Sequence, residues 1–201
     1  IQGARVNVLG TLHVFEAACA LGVKRLAYAS SAAVYGRDPD DHAAERARET
    51  EAPAPRTHYG VYKLANEGNA RVYYAGNGIS SAGLRPLTVY GVARDQGLTS
   101  GPTKAIKAAV AELPYLIRFT GTTDFLFAAD AARAFIAGAE RGPEGAQVYN
   151  VHGESAAVES FLTLLDQVVP GAGRHVSAAG QPLAIAGQLD GEALARAIPG
   201  L

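Results

Sequence analysis

The chain has 201 residues, of which 48% are hydrophobic and 18% are charged, so it is long enough for one domain with a substantial core. Its net charge of −1, without any run of basic residues, argues against a nucleic-acid or acidic-membrane partner, because both require a clustered positive field. No apolar stretch reaches the roughly 18 residues of a membrane span. The single cysteine, Cys19, favours a reducing cytoplasm, and the scattered histidines show no metal-ligand spacing.

The start of the chain differs from that of a complete polypeptide. It begins with Ile1, contains no methionine and enters a helix-like pattern by about residue 6. We therefore expect the chain to be the C-terminal part of a longer protein. A processed mature protein is the alternative, although no secretory signal is visible.

Helix and strand signals alternate along the chain. Residues 4–21 carry apolar side chains at helical spacing and end at Gly22. These side chains are Val8, Leu9, Leu12, Phe15 and Cys19. Further helices are predicted over 58–76, 101–112, 128–140, 156–169 and 190–198, and strands over 23–30, 80–84, 116–121 and 146–151. The charged residues 37–56 predict a long surface loop. This alternation predicts an α/β fold with a parallel sheet.

Two places carry residues with useful chemistry. Ser30 and Ser31 follow a predicted buried strand, and the carboxyl ends of strands are where ligands bind in open α/β sheets. Tyr59 and Lys63 are four residues apart and share one face of a predicted helix. A lysine ammonium close to a phenol lowers its pKa, and a serine hydroxyl then holds a substrate oxygen for proton transfer. As an isolated pair, Tyr59 and Lys63 also fit an ordinary surface contact worth about 0.2–0.5 kcal/mol.

Several motifs occur in a fixed order over almost the whole chain. They are ASSAAVYG at 29–36, HYGVYK at 58–63, and the segments 7–11, 84–91, 123–125, 130–132 and 148–151. Together they resemble the extended short-chain dehydrogenase/reductase family, which includes the NAD-dependent epimerases and dehydratases. The resemblance implies the C-terminal part of a Rossmann-like, doubly wound parallel sheet in residues 1–91. It also implies a small substrate-binding lobe in 92–201, with 122–151 partly returning to the sheet.

The same resemblance assigns roles to individual residues. Tyr59 becomes the general acid/base, Lys63 lowers its pKa and binds the nicotinamide ribose, and Ser31, not Ser30, binds the reacting oxygen. Pro86 and Leu87 line the nicotinamide. Besides Ser31, the residues expected at the substrate are Ala32, Thr88 and Thr123.

The phosphate-binding part of the cofactor site is expected to precede residue 1. In the resembled family a glycine-rich loop places backbone N–H groups on the pyrophosphate. Gly76-Asn77-Gly78 ends a predicted helix instead of opening one, so it does not replace that loop. The cofactor is therefore NAD or NADP, with the choice undetermined, and we expect the 201-residue chain alone to be inactive.

The sequence leaves three functions open. The first is hydride transfer at a secondary alcohol or carbonyl of a small sugar-like or alcohol substrate. The second is a nucleotide-sugar epimerase or dehydratase, which is disfavoured because its members commonly carry asparagine and arginine where this chain has Thr88 and Thr123. Arg94 and Arg118 are candidates to compensate, but the sequence does not place them. The third is a non-catalytic dinucleotide-binding regulator.

A homodimer is the expected assembly, because members of the resembled family often pair through two helices per subunit. The corresponding segments here are 4–21 and 58–76. Small side chains that favour close helix contact lie on both segments, at Ala17, Ala18, Ala65, Gly68 and Ala70. Simple exposure of these residues to solvent is the alternative.

Overall fold

The computed structural model describes residues 1–36 and 46–201, so residues 37–45 of the predicted surface loop lie outside the described residues. Seven α-helices occur in the described ranges. In chain order they are α1 (Gln2–Ala4), α2 (Gly10–Ala20), α3 (His58–Asn77), α4 (Gly101–Val110), α5 (Ala128–Arg141), α6 (Val158–Val168) and α7 (Glu192–Ala197). None of them combines the length and apolar character that a membrane crossing demands.

Eight strands form three small sheets within the described residues. They are β1 (Arg25–Ala29), β2 (Ser80–Arg85), β3 (Thr88–Tyr90), β4 (Tyr115–Ile117), β5 (Thr122–Phe127), β6 (Ala146–Asn150), β7 (Glu154–Ala157) and β8 (Val176–Ala178). The first sheet has the order β1-β2-β6 and is parallel throughout. In the second, β3 pairs with β5 in parallel and β5 pairs with β7 in antiparallel, while β4 and β8 form a parallel pair. The predicted α/β fold with a parallel sheet is confirmed.

The centre of the first sheet is β2, which is buried along its whole length. β1 was also predicted as a buried strand, but its residues are half-buried or exposed because among the described strands it pairs only with β2. Helix α5 covers this sheet with small residues, and a Cβ added at Gly138 would come within 3.2 Å of Ala82 Cβ. Small side chains therefore allow the helix to lie close to the strands.

A second core lies between α4, α6 and the β4–β8 pair. Its fully buried members include Ala105, Ile117, Phe119 and Val158. Phe125, on β5, stacks on Phe161 with 5.2 Å between ring centroids. This core is separate from the core under β2, so the chain contains more than one packed core.

The first predicted helix contains an irregular turn. Residues Arg5–Leu9 form a π turn between α1 and α2, although a single regular helix was predicted over 4–21. The Asn7 carbonyl at this turn accepts hydrogen bonds from Thr11 Oγ1 and Asn66 Nδ2, both at 2.8 Å. The wider turn breaks the 3.6-residue period, so Leu9 is 47% exposed whereas Phe15 is fully buried.

Candidate active site

Ser31 is held at the carboxyl end of β1 by a tight turn. It is the N-cap of a short 3₁₀ turn, Ala32–Val34, and its Oγ accepts a hydrogen bond from the Ala33 N–H at 3.2 Å. The Ala32 N–H donates to the Pro86 carbonyl at 3.1 Å, which joins this turn to the segment that follows β2. The position of Ser31 is thus set by backbone contacts from two neighbouring strands.

Helix α3 brings Tyr59 to this turn. Thr57 caps the helix by accepting a hydrogen bond from the Gly60 N–H at 3.0 Å. A Cβ added at Gly60 would lie 2.4 Å from the Ala33 carbonyl oxygen and 2.9 Å from Pro55 Cβ. Only glycine lets the first turn of α3 approach the Ser31 turn this closely.

The Tyr59 hydroxyl lies close enough to the Ser31 hydroxyl for the two to interact. Although Tyr59 is 46% exposed, partial burial raises the pKa of its hydroxyl above the ordinary value of 10.0. The hydrogen bond with Ser31 and the positive charge of Arg94 both lower that pKa, and so oppose the effect of burial. The structure therefore brings a serine hydroxyl and a phenol together, and the charge of Arg94 acts on that phenol.

Lys63 reaches the same strand end from one turn further along α3. Its Nζ donates to the Ala29 carbonyl at 2.8 Å and lies 5.4 Å from the centre of the Tyr59 ring. Burial lowers the pKa of this lysine, whose exposure is 8%. The effect of Lys63 on the Tyr59 pKa stays a prediction, and the charge of Arg94 also lowers that pKa.

A buried polar network lies under this group and was not predicted. Arg85 binds both carboxylate oxygens of Glu67, at 2.8 and 2.7 Å, and Ser30 Oγ donates to the same carboxylate at 2.5 Å. Arg85 also donates to the Tyr35 hydroxyl at 2.8 Å, which in turn donates to Asn150 Oδ1 at 2.7 Å. The network connects the ends of β1, β2 and β6 with helix α3. The sequence contained one indication of this network, since Glu67 follows Lys63 by one helical turn.

The remaining predicted residues are placed less favourably for direct ligand contact. Ala32 is fully buried and Leu87 is 9% exposed, whereas Pro86 is half-buried. Thr88 and Thr123, expected at the substrate, are 0% and 1% exposed, and their hydroxyl oxygens lie 2.6 Å apart in a mutual hydrogen bond. Their hydroxyls therefore stabilise the β3–β5 pairing, and neither is open to solvent.

The model of the NAD dependent epimerase/dehydratase family matches residues 2–151, which is 150 of the 201 residues. The chain belongs to this family. Two curated proteins are similar to parts of the chain. UDP-glucuronate 4-epimerase of Thermodesulfobacterium geofontis is 27% identical over 168 residues, covering 81% of this chain and 49% of that protein. NAD-dependent glucose-6-phosphate dehydrogenase of Haloferax volcanii is 38% identical over 90 residues, covering 40% and 34%. The chain thus spans at most about half the length of either relative.

Solved structures of this epimerase/dehydratase fold match nearly the whole chain. UDP-glucose 4-epimerase of Thermus thermophilus, in complex with NAD, has a TM-score of 0.79 and 27% identity, covering 96% of this chain and 64% of that chain. The GalE-like L-threonine dehydrogenase of Cupriavidus necator has a TM-score of 0.76 and 25% identity, covering 96% and 65%. UDP-N-acetylglucosamine 4-epimerase of Methanobrevibacter ruminantium has a TM-score of 0.81 at 22% identity, covering 98% and 64%, and shares the fold.

Proposed function

We propose that the protein carrying this sequence is an NAD(P)-dependent oxidoreductase acting at a secondary alcohol or carbonyl of a small sugar-like or alcohol substrate. The observation that carries the proposal is the meeting of Tyr59 and Lys63 with the turn that holds Ser31. Lys63 Nζ lies 5.4 Å from the Tyr59 ring centre, and the Tyr59 and Ser31 hydroxyls interact. Family membership supplies the general reaction class, whereas the substrate and the roles of single residues are part of the proposal.

The donor set fits the hydroxyl-rich end of a nicotinamide cofactor. An ammonium group has three N–H donors, and Lys63 uses one of them on the Ala29 carbonyl. Two donors remain for the ribose hydroxyls, and the half-buried Pro86 lies nearby at the end of β2. Gly78 ends helix α3 with a φ of +68°, so the Gly76–Gly78 segment closes a helix and is not proposed as a phosphate loop.

In the oxidation direction, Ser31 holds the substrate hydroxyl oxygen and Tyr59, as phenolate, accepts its proton. The bound nicotinamide would accept the hydride from the carbinol carbon. As the proton moves to the Tyr59 oxygen, the substrate oxygen becomes a carbonyl oxygen, and in reduction the same phenol returns the proton. Because burial raises the Tyr59 pKa, we expect oxidation to speed up with rising pH until the phenol is ionised.

Replacing Tyr59 by Phe tests this proposal. The variant removes the proton acceptor and keeps the ring, so turnover should fall by about 10²–10⁴-fold while cofactor affinity is retained. Turnover with NAD and with NADP, together with cofactor binding followed by fluorescence, checks both parts. His58→Phe, next to Tyr59 on the same helix, is the matched control and should retain activity. Unchanged turnover in the Tyr59 variant contradicts the proposed role of Tyr59. Cofactor binding without turnover, together with unchanged biological activity of the Tyr59 variant, favours the non-catalytic dinucleotide-binding regulator.

A nucleotide-sugar epimerase or dehydratase is the second candidate function. It is favoured by the 27% identity to an NAD complex of UDP-glucose 4-epimerase over 96% of this chain. Thr88 and Thr123 argue against it. Both residues are neutral and their hydroxyls bind each other, so neither position supplies a cation for a diphosphate. Conversion of a UDP-sugar without net change in NAD would favour the epimerase and contradict the oxidoreductase.

A homodimer through α2 and α3 is part of the same proposal. Helix α3 exposes Val61 and Val72 by 47% and 69%, and with Ala65 and Gly68 they follow one another at helical spacing. Two other residues predicted for this contact, Ala18 and Ala70, pack instead in the core of the chain with Phe15. The proposed contact therefore uses the outer stripe of each helix.

A further inference from the structure

The loop after β3 carries Arg94, which the sequence analysis noted without a position. β3 follows Pro86 and Leu87 directly, and the Pro86 carbonyl binds the turn that holds Ser31. The loop, residues 91–100, therefore begins a few residues beyond the candidate active site. The charge of Arg94 acts on the Tyr59 hydroxyl, whereas that of Arg118, which is exposed beyond β4, is not among the charges that do.

The guanidinium of Arg94 is held in place by its own loop. One terminal nitrogen donates to the Gln96 carbonyl and the other to Thr99 Oγ1 at 3.3 Å. Gly97, with a φ of +90°, lies against the group, since an added Cβ would be 3.3 and 3.4 Å from its two terminal nitrogens. A side chain fixed before binding loses less conformational entropy when it captures a ligand.

The backbone that presents Arg94 is strained. Ala93 has a φ of +68°, a left-handed conformation that residues with a Cβ rarely adopt. The loop is fastened to helix α4 by the Gly91 N–H, which donates to Thr103 Oγ1 at 3.1 Å. Strain of this kind is characteristic of functional sites, where the surrounding structure enforces it.

Arg94 has no carboxylate partner among the described residues. The neighbouring Asp95 pairs with Lys107 instead. A guanidinium has five N–H donors, and Arg94 uses two of them within its loop, so three remain. Three donors in one plane suit a single carboxylate, which arginine binds through two parallel hydrogen bonds. Arg94 is thus a half-buried cation without a carboxylate partner in the described part of the chain, and its charge acts on the Tyr59 hydroxyl.

We propose that Arg94 binds a carboxylate of the substrate, so that the substrate is a hydroxy acid such as a sugar acid. The inference rests on the proposed function, because the carboxylate belongs to the same substrate whose hydroxyl Ser31 and Tyr59 would hold. It narrows the substrate class, because a neutral alcohol leaves Arg94 unpaired and a nucleotide sugar requires more cations for its diphosphate.

Calorimetric binding to the full-length enzyme loaded with NAD or NADP tests the proposal. The probes are D-glucuronate and D-galacturonate, each compared with its neutral counterpart, D-glucose or D-galactose. We expect at least one acid to bind more tightly than its neutral counterpart. Arg94→Gln should weaken binding of that acid by about 100-fold and leave the neutral sugar and the cofactor unaffected. Arg94→Lys should recover part of the loss.

Two further measurements separate a ligand contact from a structural effect. Arg118→Gln, the matched control, should retain the preference for the acid. Removing the Arg94 charge should also move the rise of the oxidation rate with pH to higher pH, because the Arg94 charge lowers the Tyr59 pKa. The proposal is overturned if no acid binds more tightly than its neutral counterpart, if the preference survives in Arg94→Gln, or if D-glucose 6-phosphate or UDP-glucose is preferred.

The same experiments separate this inference from the proposed function. One outcome is that the wild-type protein turns over neutral alcohols, that Tyr59→Phe abolishes this turnover, and that acids are not preferred. This outcome contradicts the Arg94 proposal and leaves the proposed oxidoreductase standing. Binding of an acid that depends on Arg94, without oxidation by either cofactor, counts against the proposed oxidoreductase.

Discussion

At the scale of single residues, the candidate active site depends on a position without a side chain. Tyr59 meets Ser31 because Gly60 lets helix α3 lie against the Ala33 carbonyl. Nothing in the local sequence marks Gly60 as special, since a glycine within a helix is ordinarily a destabilising residue. The role of Gly60 depends on the Ala33 carbonyl oxygen, which lies in a turn about 27 residues earlier. The Tyr59–Lys63 spacing alone does not reveal this contact.

Gly60→Ala should therefore lower both stability and activity. The new Cβ would lie 2.4 Å from the Ala33 oxygen, so α3 has to move away from the Ser31 turn. We expect a loss of about 1–3 kcal/mol in the free energy of unfolding, measured with urea, and a clear fall in turnover. Gly76→Ala in the same helix is the control, because nothing lies within 4 Å of its added Cβ. Wild-type stability and turnover in Gly60→Ala would show that the close approach is not required.

At the scale of elements, the Glu67–Arg85 ion pair links helix α3 to strand β2. Both side chains are 2% exposed, and their carboxylate and guanidinium meet through two hydrogen bonds. Buried charges are costly to desolvate, so each partner is stable only while the other is present. The pair therefore fixes the helix that carries Tyr59 and Lys63 relative to the sheet.

Glu67→Gln should be strongly destabilising, because it leaves the Arg85 charge buried without a counter-charge. We expect a loss of about 3–5 kcal/mol in the free energy of unfolding. The double variant, Glu67→Leu with Arg85→Met, should lose less free energy of unfolding than its two single variants lose together. The control is Glu192→Gln, since that residue's pair with Arg196 is 75% and 71% exposed and should contribute little. A Glu67→Gln protein as stable as the wild type would refute the structural role of this pair.

At the scale of the whole molecule, the exposed apolar stripe on α3 determines the expected assembly. The proposed homodimer covers Val61 and Val72, which a lone subunit leaves in water. The helices of the second core also expose apolar residues, namely Val110 on α4 at 68% and Leu164 and Val168 on α6 at 58% and 71%. The proposed dimer contact does not use them.

Substituting both Val61 and Val72 by Glu should dissociate the dimer. The charges would be buried without partners at the centre of the contact, so light scattering after size-exclusion chromatography should report a monomeric mass for the full-length protein. Val110→Glu, on α4, should leave the dimer intact. A monomeric wild-type protein at micromolar concentration contradicts the proposed assembly.

By itself, the sequence determined the α/β class, the positions of the long helices and the candidate group of Ser31, Tyr59 and Lys63. Helical hydrogen bonds join residues four apart, and helices end at local signals such as Gly78. Short stretches of sequence are therefore enough to predict these features. Strands β3, β5, β7 and β8 were missed or misplaced. β3, β7 and β8 have only three or four residues, and a strand this short is defined by its partner, which is distant along the chain.

Only the tertiary structure decided which charges surround the phenol. It paired Glu67 with Arg85, joined the Thr88 and Thr123 hydroxyls to each other, and brought Arg94 to act on Tyr59. Each of these interactions joins residues 18 or more positions apart. Electrostatic effects depend on distance and burial in space, which no local pattern encodes.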